Sequence, residues 1–219
     1  MRAMMFAAFL LPTSFCFADK PQLSSSDLLS IRKTNPASVI EIENDIEQKL
    51  RWIVMISDHL HLGYTMPKGR PEIFLVSRAY IRHHAKEICF TFSDPKDISN
   101  CAEKIFGWID DDRRIFLLRE EDVLSSEIMN SRREFPVKTW VGMELLHELV
   151  HYVQMEDSPY APSTLPCSIE SRWESEAHKM MQWWLNSLQT VDAGRITVLL
   201  RGGMLPFSCA NKEGAIIEK

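Results

Sequence analysis

The sequence predicts an α+β fold, a single domain in which a small, mostly antiparallel sheet sits between helices, one of them carrying an HExxH motif. Three observations predict it. Apolar residues recur at helical spacing before residue 61, short apolar runs broken by turn signals fill residues 71 to 118, and helical spacing returns from residue 137 to residue 188.

From Ser38 to His61 the positions Ile40, Ile42, Ile46, Leu50, Ile53, Val54 and Ile56 recur mostly in steps of three and four, as an amphipathic helix requires, and Gly63 is the expected stop. Pro71 to Ser77 (PEIFLVS) reads as a short buried strand and Arg78 to Lys86 as a short helix. Ile88 to Phe92 and Lys104 to Ile109 read as extended, and Arg114 to Leu118 answers them after the turn signal Asp110-Asp111-Asp112. Those three aspartates lack the spacing and glycine of a calcium loop, so they read as a solvated turn. Two helices follow, one through TWVGMELLHELVHYVQ and one from Ile169 to Leu188. The tail from Gly202 carries Cys209, which is expected to tie it back.

With 219 residues, 45% of them hydrophobic and 25% charged, the chain can bury a real core. A formal charge of -5 gives no general attraction to nucleic acid or to an anionic membrane. Residues 1–18 read as a secretory signal: Arg2 precedes an apolar run that ends in Cys16-Phe17-Ala18. A lipoprotein anchor on Cys16 is the rival, with Phe15 where a lipobox wants a small residue. Pro12, Thr13 and Ser14 argue against a permanent span, and no later stretch could cross a bilayer. Residues 19–37 read as a flexible lead-in and 38–219 as the domain, placed in the periplasm or outside the cell. In an oxidising compartment Cys89, Cys101, Cys167 and Cys209 read as disulfides with three possible pairings, local closure favouring Cys89 with Cys101 and Cys167 with Cys209. No pair has the short spacing of a zinc knuckle.

The chemistry centres on His147-Glu148-Leu149-Val150-His151. A four-residue step sets both imidazoles on one helical face, about 6 Å apart along the axis, so that two ring nitrogens can converge on one zinc ion at about 2.0–2.1 Å. Glu148 projects from an adjacent line of the helix, where it can act as general base toward a water that the ion acidifies. The alternative is a chance pentapeptide, against which stand the flanking Leu145, Leu146, Leu149 and Val153: histidines on a face buried by them need partners. A catalytic zinc takes three protein ligands, and the next helix offers Glu170, Glu174, Glu176 and His178. Glu174 lies at the edge of the stripe formed by Ile169, Trp173, Ala177, Met180, Met181, Trp184 and Leu188. Glu176 points about 160° away from it, so the two cannot share the task.

HELVH followed after a loop by Glu174-Ser175-Glu176-Ala177 resembles the gluzincin zinc metallopeptidases, whose second helix often carries a glutamate ligand with a small residue three positions on. The resemblance implies a zincin-like domain with His147, His151 and Glu174 as metal ligands, Glu170 as second choice to Glu174, and Glu148 as catalytic base. More narrowly, residues 71 to 185 resemble a small bacterial HExxH domain family of uncharacterised function: strand PEIFLVS, the pair around GWIDDDRRIFLL, HELVHYVQ, Cys167 and ExEA. The chain departs from larger peptidases at His178, where an aspartate or asparagine is usual.

Other residues read more simply. Asp58, His59 and His61 fit a solvated helix end, His83-His84 beside Arg82 a surface face, and Trp183-Trp184 the core. Tyr160, Arg172 and His178 are candidates to stabilise an oxyanion. The expectation is a zinc-dependent, peptidase-like hydrolase with a peptide or protein substrate, no nucleic acid partner and no stable membrane span. Its rival is a catalytically inactive, zinc-stabilised binding or assembly module; substrate specificity and oligomeric state are not legible.

Overall fold

The computed structural model describes residues 36–88, 94–125, 137–156, 158 and 165–189. The signal, the lead-in up to residue 35, Tyr160, Cys89 and the Cys209 tail lie outside them. Helix α1 spans Pro36–His59, followed by strand β1 (Ile73–Val76) and two short helices, α2 (Arg78–His83) and α3 (Ala85–Ile88). Helix α4 (Pro95–Lys104), strands β2 (Gly107–Ile109) and β3 (Ile115–Leu118), and helices α5 (Glu120–Ser125), α6 (Val137–Glu156) and α7 (Cys167–Leu188) complete the order. The architecture is mixed α+β and mostly helical.

The sheet is mixed, which corrects the expectation of a mostly antiparallel one. Its order is β1-β3-β2; β1 runs parallel to β3, and β2 antiparallel. Strand direction is set by the connection, and α2, α3 and α4 supply the long crossover that a parallel pair needs. Lys104 closes α4 and is not extended, and Ile88 ends α3. Asp94 starts α4 as its N-cap, accepting from the Lys96 amide at 2.7 Å, with Pro95 in the first turn.

All three strands are buried on both faces. Phe74, Phe116 and Trp108 are cross-strand partners on one face, where their rings stack at 5.3 and 4.6 Å. Gly107 and Leu117 pair on the opposite face, and there α6 packs. Helix α6 is enclosed by β2, β3, α1, α5 and α7, and every residue from Met143 to Met155 is buried. It is buried on all sides, as a helix in the middle of a core is, although Glu144, His147, Glu148, His151 and Gln154 are among its buried residues.

Helix α1 buries Ile46, Leu50, Ile53 and Ile56, whereas Ile40 is exposed. It ends at His59, before Gly63: His61 already takes the left-handed conformation, φ 58°, and Gly63 follows at φ 73°. The Leu62 amide returns to the Ser57 carbonyl at 2.9 Å and the Tyr64 amide to Ser57 Oγ at 2.7 Å. This clasp fixes where the chain leaving α1 turns. The aspartate turn holds, but Asp110 is buried and ion-paired to Arg114 at 2.6 Å instead of solvated. Trp184 is half-buried over Lys49, while Trp183 is exposed against His59, so only one of the two tryptophans joins the core. Cys101 is buried and disulfide-bonded. No helix among the described residues is long and apolar enough to cross a membrane.

Candidate metal centre

The four-residue step on α6 turns His147 and His151 the same way, and α7 crosses α6 so that Glu174 faces both. His147 Nε2 lies 3.0 Å from His151 Nε2 and 3.5 Å from Glu174 Oε2, and His151 Nε2 lies 3.3 Å from Glu174 Oε1. Donors held about 2.0–2.1 Å from a tetrahedral zinc stand about 3.3–3.4 Å from one another, so three donor groups from two helices have the spacing of one metal's ligands. Glu174 Oε2 is buried without a hydrogen bond of ordinary geometry, as an atom reserved for a cation would be. The residues fit a zinc ion.

His178, one turn after Glu174, also faces the cluster. Its Nε2 is 3.9 Å from Glu174 Oε2, and His147, Glu174 and His178 each bring one donor atom within 4.8 Å of the others. With its side chain 25% exposed against 1% for His147, His178 stands on the solvent side. Glu148 is fully buried on the neighbouring line of α6, against Gly107 of β2. Glu170 is buried one turn before Glu174, and Glu176 points elsewhere, to Tyr64 and Gln154. Arg172 is exposed, 3.7 Å from Glu176, and does not join the cluster. Asp58 and His59 are exposed at the end of α1 and His61 just beyond it.

Charge in this interior is arranged around Glu174. Burial would raise its carboxyl, but the charge of His151 and hydrogen bonding from both histidines hold it well below the usual carboxylate range. Burial lowers His147, to about 4, despite Glu174. Burial acts on His151 in the same sense, yet the Glu174 carboxylate outweighs it and raises His151 to about 9. Burial also lowers His178. The Glu174 carboxylate thus favours a proton on His151, and a bound cation would take that proton's place.

Several residues around the site are not read as part of it in the sequence. Met181 places its sulfur 3.0 Å from His147 Nδ1, Gln154 places Oε1 2.8 Å from His151 Nδ1, and Tyr64 reaches Gln154 Nε2 at 2.8 Å. Glu144, buried one turn before His147, is a further acid in the α6–α7 seam. Helical spacing could have found Glu144 and Gln154, each three residues from a ligand candidate on the same face; nothing local marks Tyr64. Compared with protein-family models, curated proteins and solved structures, the chain matches no family model, no curated protein and no solved structure.

Proposed function

We propose that the protein is a zinc-dependent, peptidase-like hydrolase of zincin-like design, acting on a peptide or protein substrate in the periplasm or outside the cell. One observation carries the reading: imidazole nitrogens of His147 and His151 and the Glu174 carboxylate converge from two helices at 3.0 to 3.5 Å, with Glu148 buried alongside. His147, His151 and Glu174 would hold the ion. When bound, zinc supplies Lewis acidity, which lowers the pKa of a water and polarises a carbonyl.

The chain's own groups do the rest. Glu148 takes the proton of the attacking water at a carboxylate oxygen and later delivers it to the departing amine. Its burial excludes bulk water from that transfer, and Gly107 leaves the room in which its carboxylate lies. His178, on the solvent side of the cluster, is the side chain best placed to meet a substrate carbonyl.

A second reading has one observation in its favour, the proximity of His178. As a fourth donor it would close the coordination sphere and make the zinc structural, the mark of a binding or assembly module. Incubating the mature protein with a mixed peptide library, with and without chelator, separates the two by mass spectrometry. The enzyme makes new fragments that vanish with chelator. Glu148→Gln should keep its zinc and lose about 100-fold or more in turnover. A zinc-loaded wild type that cleaves nothing, or a Glu148→Gln variant as active as wild type, removes the catalytic assignment.

A further inference from the structure

His151 hands only one ring nitrogen to the Glu174 side; the other is held by a chain of side chains that leads away from the cluster. Gln154, three residues on along α6, sets Oε1 2.8 Å from His151 Nδ1. Its Nε2 shares two hydrogens among three acceptors, Tyr64 Oη at 2.8 Å, Glu176 Oε2 at 3.1 Å and the Trp173 carbonyl at 3.3 Å. Tyr64 in turn donates its hydroxyl proton to Glu176 Oε2. Tyr64 is itself fixed, because its amide is tied to Ser57 Oγ in the clasp that ends α1.

The direction of every bond in this chain follows from what each group can do. A backbone carbonyl and a carboxylate only accept, so the end of the Gln154 amide facing Trp173 and Glu176 must be its NH₂. The end facing His151 is then its carbonyl oxygen, which can only accept. His151 Nδ1 must therefore carry a hydrogen whatever the state of Nε2, leaving Nε2 as the atom available to a metal. Gln154 is 2% exposed, so no water competes freely for either end of its amide.

We propose that Gln154 is a positioning residue for His151, its amide locked by Tyr64 and Glu176 so that the imidazole presents Nε2 to the metal in one tautomer and one orientation. The proposal rests on the metal reading above and adds to it a control element that runs from the end of α1 to the ligand. Partners of this kind commonly account for 10–100-fold in metal affinity.

The test is zinc affinity of the full chain, measured by competition with a chromophoric chelator. Gln154→Leu, which neither accepts from His151 nor donates to Glu176, should bind zinc about 10–100-fold more weakly than wild type. The exchanged pair Gln154→Glu with Glu176→Gln keeps the acceptor that faces His151 and reverses the bonds with Tyr64 and residue 176: residue 154 accepts from His151 and from Tyr64, and residue 176 donates to residue 154, with only the longest contact, to the Trp173 carbonyl, given up. It should return affinity to within about threefold of wild type, a recovery that a merely space-filling role for Gln154 does not predict. Should Gln154→Leu not fold, long-range ¹H–¹⁵N spectra of zinc-loaded wild type read the same claim directly: His151 must show a protonated Nδ1 and a metal-shifted Nε2. Undiminished affinity in Gln154→Leu, no recovery in the exchanged pair, or coordination through Nδ1 overturns the relay while leaving the metal reading in place. A wild type that holds no zinc overturns the metal reading, and the relay with it.

Discussion

Glu144 is the clearest case of a single side chain whose chemistry is set by position alone. Burial in the α6–α7 seam, and then the charge of Glu174, push its carboxyl from 4.5 up to about 8. A carboxyl raised in the folded state favours folding fully below its unfolded pKa, and that contribution is lost as pH rises to the folded value. The zinc-free protein should therefore lose on the order of a few kcal/mol between pH 4.5 and pH 8 through this residue. Glu144→Gln, which cannot ionise, should flatten the slope by that amount in urea titrations at pH 5 and pH 8 with chelator present. An unchanged slope would mean that the carboxyl is solvated after all. At this scale helical spacing in the sequence leads to His147 and His151 on one face with Glu148 on the next line, while the choice of Glu174 comes from the resemblance. Tyr64 shows where such reading stops, because its contact with Gln154 spans 90 residues and depends on how the turn after α1 is clasped.

Among the elements, β2 and α6 approach each other closely at Gly107. A methyl group there would stand 3.1 Å from Leu117 Cδ2, 3.2 Å from Glu148 Oε1 and 3.3 Å from Glu148 Cγ. The obstacle is space and not backbone conformation, so Gly107→Ala should fold with about 1–2 kcal/mol less stability. Its larger effect should fall on turnover, by about 10–100-fold, because the displaced group is the proposed base. Gly142→Ala is the matched control: it crowds Trp184 at 3.2 Å on another side of α6 and should leave turnover nearly intact. Equal activity of the two variants would detach Gly107 from the site. The long helices were legible because α1 and α7 keep a helical period over about six turns, and α6 is a long run rich in apolar residues without a breaker. Helix α4 was not, since its ten residues hold few apolar side chains, although Asp94-Pro95 announces its start. The direction of β1 relative to β3 was hidden for the same reason: the crossover that sets it contains α4.

For the molecule as a whole, α6 is an unusual choice of central helix, because its buried face carries Glu144, His147, Glu148, His151 and Gln154 in the middle of the core. Each such group costs stability unless it is matched, a cost that apolar residues in their place would not carry. The two histidines are matched from α7 by Glu174, so the seam between these helices is both the candidate site and a main contact of the fold. A cation held there would cross-link the two helices and bind only the folded chain. At a free concentration about a thousandfold above its dissociation constant, such a ligand adds about 4 kcal/mol. For a chain of this size each kcal/mol moves the melting temperature by about 2–4 °C, so adding chelator should lower Tm by roughly 8–16 °C and returning zinc should restore it. Glu148→Gln should keep that whole increment, since Glu148 is no ligand, whereas His147→Ala or His151→Ala should lose most of it. A wild-type Tm indifferent to chelator and to added zinc would leave the buried histidines and carboxylates to be explained by their pairing with one another.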